Sequence, residues 1–360
     1  MKSVAQTSQG MATTIQDVAR ISAVSASTVS RAFNHSALVN EETRQRIFAA
    51  AKLLNYVPNA SARSLSIGRT KVIGVILPLA HGEFFSVLIR GVDEAVVDAK
   101  RELLIAGTHN DLASAQSAFN RMNGWVDGFL VVTHNLNHDA MLEAAPSSTP
   151  TVFLHAPKPL PGHSSLQTDN LESACLAVRH LIDEGHTRIA MVKGPETNGE
   201  AHERFLGYRK ALREAGLPIP PELVYNGDFT REGGMEAGRA LLSKNHRPTA
   251  LFAANDDSAI GVIFALGERG CRIPDDMAVI GFDDIPSAKY QTPSLSTIHV
   301  PICEMGRRAV ETLVAAIDDP DGYEPEIFNF NGVLKARAST IGGRYVADAD
   351  PPFVPLTGTR

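Results

Sequence analysis

Phe84 and Phe85, Asp169, Arg204, Phe229, Asn255 with Asp256 and Asp257, and Asp283 with Asp284 each follow a short apolar run, or the loop that such a run opens. A carboxylate there accepts two hydroxyl hydrogen bonds, a guanidinium offers a planar fork of donors, and an amide does both. Phenylalanine adds a flat apolar wall for the C–H face of a ring. The set suits a small polyhydroxylated or carboxylated ligand, a sugar or sugar acid rather than a purine. Each residue also has a plainer use. Asp256, beside Asn255, reads as the cap of the next helix; Phe84 and Phe85 suit a core, and Arg204 a surface ion pair.

These residues point to binding rather than catalysis. No GxSxG, GxxxxGK[ST] or GxGxxG pattern follows any run, so there is no nucleophile to nominate. The 12 histidines show no HExxH spacing, and Cys175, Cys271 and Cys303 lie far apart. No metal, cofactor or disulfide is expected, and the cysteines read as small buried apolar residues. With 44% hydrophobic and 21% charged residues the composition is that of a globular protein. No run approaches the roughly 18 apolar residues of a membrane span, and the N-terminus lacks a secretory apolar block. A cytoplasmic protein is expected.

The elements that must position the candidate ligands come as apolar runs separated by amphipathic stretches. The runs are "VIGVILP" from Val72, "ELLIAGT" from Glu102, "GFLVVT" from Gly128, "TVFLHA" from Thr151, "RIAMVKG" from Arg188, "LVYNGD" from Leu223, "ALFAAN" from Ala250 and "MAVIGFDD" from Met277. Continuous apolar strands alternating with helices imply parallel sheets covered on both faces, and this many fit two sheets rather than one. In such sheets ligands sit beyond the carboxyl ends of the strands, where these residues fall.

The front of the chain is different. Thr14 with Asp17 makes a capping box for a short helix whose apolar side is Val18, Ala19 and Ile21. Ser25 caps a second helix with Val29, Ala32 and Phe33 inward and Ala26, Ser27, Ser30 and Arg31 outward. Asn40 starts a third, with Ile47, Ala50, Ala51 and Leu54 on one face. Two short helices around a tight break are how a protein presents one helix to the major groove of DNA. Residues 1 to 71 hold nine basic side chains against three acidic ones, although the whole chain carries a net charge of −6. A basic head on an acidic body suits a polyanion at the head alone.

"TIQDVARISAVSASTVSRAFN", "VNEETRQRIFAAAKLLNYVPNASARSL", "IGVILP", "VDGFLVV", "FAANDDSAIGV", "RIPDDMAVIGFDD" and "TPSLSTIHVP" together resemble the lactose-repressor family of bacterial transcription regulators over residues 13 to 341. The resemblance implies an all-α helix-turn-helix head on an α/β body like the periplasmic binding proteins, with two doubly wound parallel-sheet subdomains joined by three crossings. It makes Ser25 and Thr28 phosphate contacts and sends Ala26, Ser27 and Arg31 to base edges. It makes Asn59 to Leu65 a hinge helix, with Asn59 and Arg63 on DNA and Leu65 as a minor-groove wedge. Arg204, Asn255 and Asp283 match its most regular effector positions, with Phe84, Phe85, Asp169 and Phe229 as walls. Ala23 departs from it, because the family commonly has glycine at that turn.

The implied layout is a disordered extension over 1–12, a DNA-binding domain over 13–58 and a hinge and linker over 59–71. An effector-binding and dimerisation domain then spans 72–344, followed by a disordered tail over 345–360. Within that domain the first subdomain takes 72–168 and 300–326, and the second takes 169–299 and 327–344. The implied partners are a near-palindromic operator, a small effector and a second copy of the chain. Pro351, Pro352 and Pro355 rule out the C-terminal heptad helix that makes tetramers in this family. Repression is the expected action. Activation, or service as a transporter's solute-binding protein, are the alternatives.

Overall fold

The computed structural model describes residues 13–34, 38–57, 69–78, 82–109, 111–133, 138–155, 162–243 and 247–342. The expected extension, the hinge residues Asn59, Arg63 and Leu65, and the tail lie outside the described residues. The chain divides into two compact units, Met1–Thr70 and Lys71–Arg360.

The head packs α1 (Ile15–Ser22), α2 (Ala26–Asn34) and α3 (Glu41–Leu53) around Val18, Val29, Ala32, Ile47 and Ala50. Its start and stop signals act as the sequence suggests. Thr14 and Asp17 close a reciprocal capping box, and Ser25 Oγ accepts the Thr28 N–H at 3.1 Å. Asn40 Oδ1 accepts the Thr43 N–H at 2.8 Å. Ala23 ends α1 in the left-handed region, φ 51°, ψ 45°, the conformation that favours the family's glycine. Ile21 departs from its expected inward position. It is 47% exposed, because Val18, Ala19 and Ser22 already fill the inner face.

In the body, β1 (Val72–Pro78), β2 (Glu102–Thr108), β3 (Gly128–Val132), β4 (Thr151–Leu154), β5 (Ser164–Thr168) and β11 (Ile327–Phe330) form one parallel sheet, ordered β11-β5-β4-β3-β1-β2. A second parallel sheet, β7-β6-β8-β9, comprises β6 (Ile189–Val192), β7 (Val224–Tyr225), β8 (Ala250–Ala253) and β9 (Ala278–Ile280). The helices between them are α4 (Glu83–Asp98), α5 (Leu112–Met122), α6 (His138–Ala144), α7 (Asn170–Asp183), α8 (Gly199–Glu214), α9 (Arg231–Leu242), α10 (Asp256–Gly267) and α11 (Pro286–Tyr290). Then come β10 (Thr297–His299), α12 (Ile302–Asp318), β12 (Val333–Lys335) and α13 (Ala338–Ile341), with β10 and β12 antiparallel.

Two expectations are corrected here. Residues 327–330 join the first sheet rather than the second subdomain, because β5 is left with an open edge that β11 pairs along its whole length. The chain therefore passes to the second half between Phe330 and Val333. The run at β2 is not covered on both faces. It is an edge strand, and Leu104 and Ile105 are exposed.

Candidate functional site

Arg204 enters the site from the first turns of α8, which begins at an Asn198 cap whose Oδ1 accepts the Ala201 N–H at 2.8 Å. It is 5% exposed. Its Nη1 donates to Ala254 O at 2.6 Å and lies 3.2 Å from Asp283 Oδ1, while Nε donates to Asn170 Oδ1 at 2.9 Å. The guanidinium lies over the Phe282 ring, 3.8 Å from its centroid, and faces the Phe229 ring at 5.7 Å. A cation held this way has its orientation fixed before any ligand arrives.

Asp283 follows β9 with φ 108°, a conformation held by its own N–H donating to Ile298 O at 2.9 Å. Its Oδ1 is buried and makes no hydrogen bond with any described residue, since the approach of Arg204 lacks the right geometry. Burial pushes its carboxyl up to about 7. The nearby charges of Glu200 and Asp257 act in the same direction, while Arg204 and His155 oppose it. A carboxylate with an unsatisfied buried oxygen beside a fixed guanidinium is ready to accept a ligand hydroxyl.

The other expected residues take different places. Asn255 Oδ1 caps α10 by accepting the Ser258 N–H at 3.1 Å, and its Nδ2 donates to Phe229 O at 3.0 Å. It therefore holds Phe229, whose φ is 68°, facing Arg204. The cap expected of Asp256 thus falls one residue earlier. Asp256 itself is fully buried and accepts from Ile285 N–H at 2.9 Å and Thr297 Oγ1 at 2.6 Å. Asp169 caps α7 through the Glu172 N–H and lines a cavity of about 460 Å³ with His155, Asn170, Glu200 and Glu203. Phe84 packs edge-on to Phe85 at 5.3 Å and against the His155 ring at 5.4 Å.

Four residues absent from the expected set join the network. His155 Nδ1 donates to Glu200 Oε1 at 2.7 Å, both side chains being buried, and so ties the first half of the body to the second. Asn170 takes the Arg204 Nε–H and donates to Glu203 Oε2 at 3.2 Å, and burial pushes the Glu203 carboxyl up. His155 directly follows β4 within the run "TVFLHA", so inspection of that strand end would have found it. Glu200 and Asn170 carry no comparable signal.

On the head, Ser25 and Ser27 are exposed at the start of α2, with Ser25 Oγ 2.7 Å from Ser27 Oγ and 2.8 Å from Thr28 Oγ1. Hydroxyls at a helix N-terminus suit phosphate oxygens. Arg31 is exposed and makes no hydrogen bond or ion pair with any described residue. Ala26 is half-buried against the head's own core.

Comparison with known proteins agrees with this division. The model for bacterial regulatory proteins of the lacI family matches residues 14–59, and that for a periplasmic binding protein-like domain matches residues 178–340. The ribose operon repressor of Escherichia coli (strain K12) is 40% identical over 335 residues, covering 91% of this chain and 99% of that protein. The chain belongs to the lacI family. As a lacI-family protein it is a DNA-binding transcriptional regulator with a helix-turn-helix head and a periplasmic-binding-protein-like body. The transcriptional repressor PurR of Photobacterium profundum is 34% identical over 328 residues, covering 91% of this chain and 98% of its own. Among solved structures, the lac repressor dimer bound to operator and the anti-inducer ONPF matches with TM-score 0.80 and 26% identity, over 92% of this chain and 99% of that one. A lacI-family regulator from Enterococcus faecium with bound ribose matches with TM-score 0.66 and 29% identity, over 75% and 98%. No helix among the described residues is long and apolar enough to cross a membrane.

Proposed function

We propose that this regulator is a repressor that binds a near-palindromic operator as a homodimer and responds to an uncharged sugar held between the halves of its body. The observation that carries this reading is the buried Arg204–Asp283 pair, with one carboxylate oxygen that makes no hydrogen bond among the described residues and a guanidinium facing the Phe229 and Phe282 rings. Arg204 already serves Asp283, Ala254 and Asn170, and Glu200 and Asp257 add negative charge nearby. A sugar acid would meet more carboxylates than free guanidinium, so a neutral polyol fits better. The ribose named for two of the similar proteins supports a pentose. No residue in the network is placed as a nucleophile, so the ligand is bound and released unchanged.

Ser25, Ala26, Ser27, Thr28 and Arg31 form the operator face of the head, with Asn59, Arg63 and Leu65 completing it from the hinge. A second copy of the chain covers the apolar edge at Leu104 and Ile105. Sugar binding changes the angle between the two halves, and through the hinges it changes the fit of two heads to successive half-sites. Calorimetry with D-ribose, a hexose, a sugar acid and hypoxanthine, run beside an operator gel shift, tests the ligand. Binding of hypoxanthine alone would sink the sugar reading. Sedimentation of Ile105→Glu tests the dimer, with monomers expected.

A further inference from the structure

Glu83 is the first residue of α4, in the first half of the body, but its carboxylate does not serve its own helix. It reaches into the second half. Its Oε2 accepts the Ser287 N–H at 2.8 Å, its Oε1 accepts the Ser287 hydroxyl, and Arg231 Nη2 donates to the same oxygen at 3.3 Å. Ser287 lies in the first turn of α11, whose N-cap is Ile285, a side chain with no acceptor. First-turn N–H groups have no partner inside their helix. The cap for this helix is therefore supplied by the opposite half. Arg231 is held in place by a second carboxylate, its Nε donating to Asp257 Oδ1 at 2.7 Å. Gly82, next to Glu83, has φ 116°, and a Cβ built on it would stand 2.7 Å from Asp257 Oδ2. The positive φ favours glycine at this turn, and a side chain there would have to displace the Asp257 carboxylate that holds Arg231.

We propose that Glu83 is a latch that holds the two halves of the body shut before any effector binds, and so sets the resting balance between closed and open states. Among the described residues the hydrogen-bond partners of its carboxylate, Ser287 and Arg231, lie across the cleft, and opening would orphan the Ser287 N–H and leave that carboxylate without them. A ligand shifts such a balance only by its difference in affinity for the two states, so the latch fixes the starting point from which the effector works. This role does not depend on what the effector is.

The test measures the distance between the halves in the full chain without ligand. Spin labels go on the exposed positions Gln116→Cys of α5 and Ala240→Cys of α9, with Cys271 and Cys303 replaced by serine. Dilution with unlabelled chain keeps each pair within one protomer. The unaltered latch is expected to give one short distance. Glu83→Ala is expected to add a longer one, with the open-to-closed ratio raised about tenfold for the loss of partly exposed charge-assisted hydrogen bonds. Ser287→Ala keeps its N–H and is expected to shift the ratio less. It also decides the matter if Glu83→Ala fails to fold. Wild-type distances in Ser287→Ala and in a folded Glu83→Ala would overturn the latch. Titration of D-ribose, a hexose and hypoxanthine on the same samples separates the two readings, because binding of hypoxanthine alone with shifted distances would sink the sugar assignment and leave the latch standing.

Discussion

Arg31 and Arg204 are the same residue type put to opposite uses. Arg31 stands on the exposed face of α2 with no partner among the described residues, whereas Arg204 is buried against Asp283, Ala254, Asn170 and two phenylalanine rings. A polyanion brings many charges of its own and reads the surface by flexible side chains that stay hydrated until contact. A small ligand brings a few hydroxyls, so its site must be oriented in advance, with the desolvation of its charges already offset within the protein. Substituting the head's arginine should therefore change recognition without touching stability. Substituting the body's arginine should change both.

The largest effect is expected at Arg204. Arg204→Ala leaves Asp283 buried without its cation, and breaking a buried pair from one side costs about 3–5 kcal/mol. The loss in unfolding free energy, followed by urea denaturation, should be smaller at pH 6 than at pH 8, because Asp283 can take up a proton at the lower pH. An unchanged denaturation midpoint would mean that the pair is not a buried unit and that the contrast with Arg31 is false.

Asp283 comes next. Its carboxyl titrates near 7 in the folded protein, above its ordinary value of 3.8. A raised folded pKa means that its contribution to stability is fully present at low pH and is lost as pH rises from about 4 through about 7, by a few kcal/mol at most. Asp283→Asn should flatten that slope. It should also weaken sugar binding by about ten- to hundred-fold through the loss of charge-assisted hydrogen bonds, with operator binding in the absence of ligand unchanged. Since the ionised form accepts ligand hydroxyls, wild-type sugar affinity should rise up to about tenfold from pH 6 to pH 8. A flat calorimetric pH profile would remove Asp283 from the ligand's contacts.

Arg31→Ala is expected to weaken operator binding by about 1–3 kcal/mol, to relax preference at one position of each half-site, and to leave thermal unfolding as it was. Site selection with both proteins distinguishes this from uniform weakening on all sequences, which would make Arg31 a phosphate contact only.

The two regions also differed in how far they could be read in advance. The head is built from local signals, namely a capping box, two further caps and apolar residues a turn apart, and the structure places each of its helices where those signals stand. Asp283 was legible for a related reason, since it follows the end of β9, and Arg204 because it opens the helix after the loop that follows β6. What the pattern did not show are the contacts between distant segments. His155 meets Glu200 across 45 positions and Glu83 meets Ser287 across 204, and no periodicity encodes such pairings. Asn255 took the cap expected of Asp256 because both can cap, and a shift of one residue in helix start decides between them. The placement of Ile327–Phe330 turned on which sheet had an open edge, a property of the assembled fold.

The smallest effect expected is at Ala23, where head and body can be separated most cleanly. A non-glycine residue in the left-handed region carries a steric cost of roughly 1–2 kcal/mol, because its Cβ crowds the following carbonyl. Glycine removes that crowding but gains freedom in the unfolded chain, which offsets about 0.4–1 kcal/mol of the benefit. Ala23→Gly should therefore stabilise the head by roughly 0.5 kcal/mol and leave the body alone, since Ala23 is exposed and lies in the first compact unit. Hydrogen exchange in the full chain resolves the two, with slower exchange expected for amides of α1 to α3 and no change across the β-strands. Operator affinity should move less than twofold, because a head that is already mostly folded gains little from further stability. Faster exchange in the head would show that the α1–α2 turn is relaxed with alanine, and that its positive φ carries no strain for glycine to relieve.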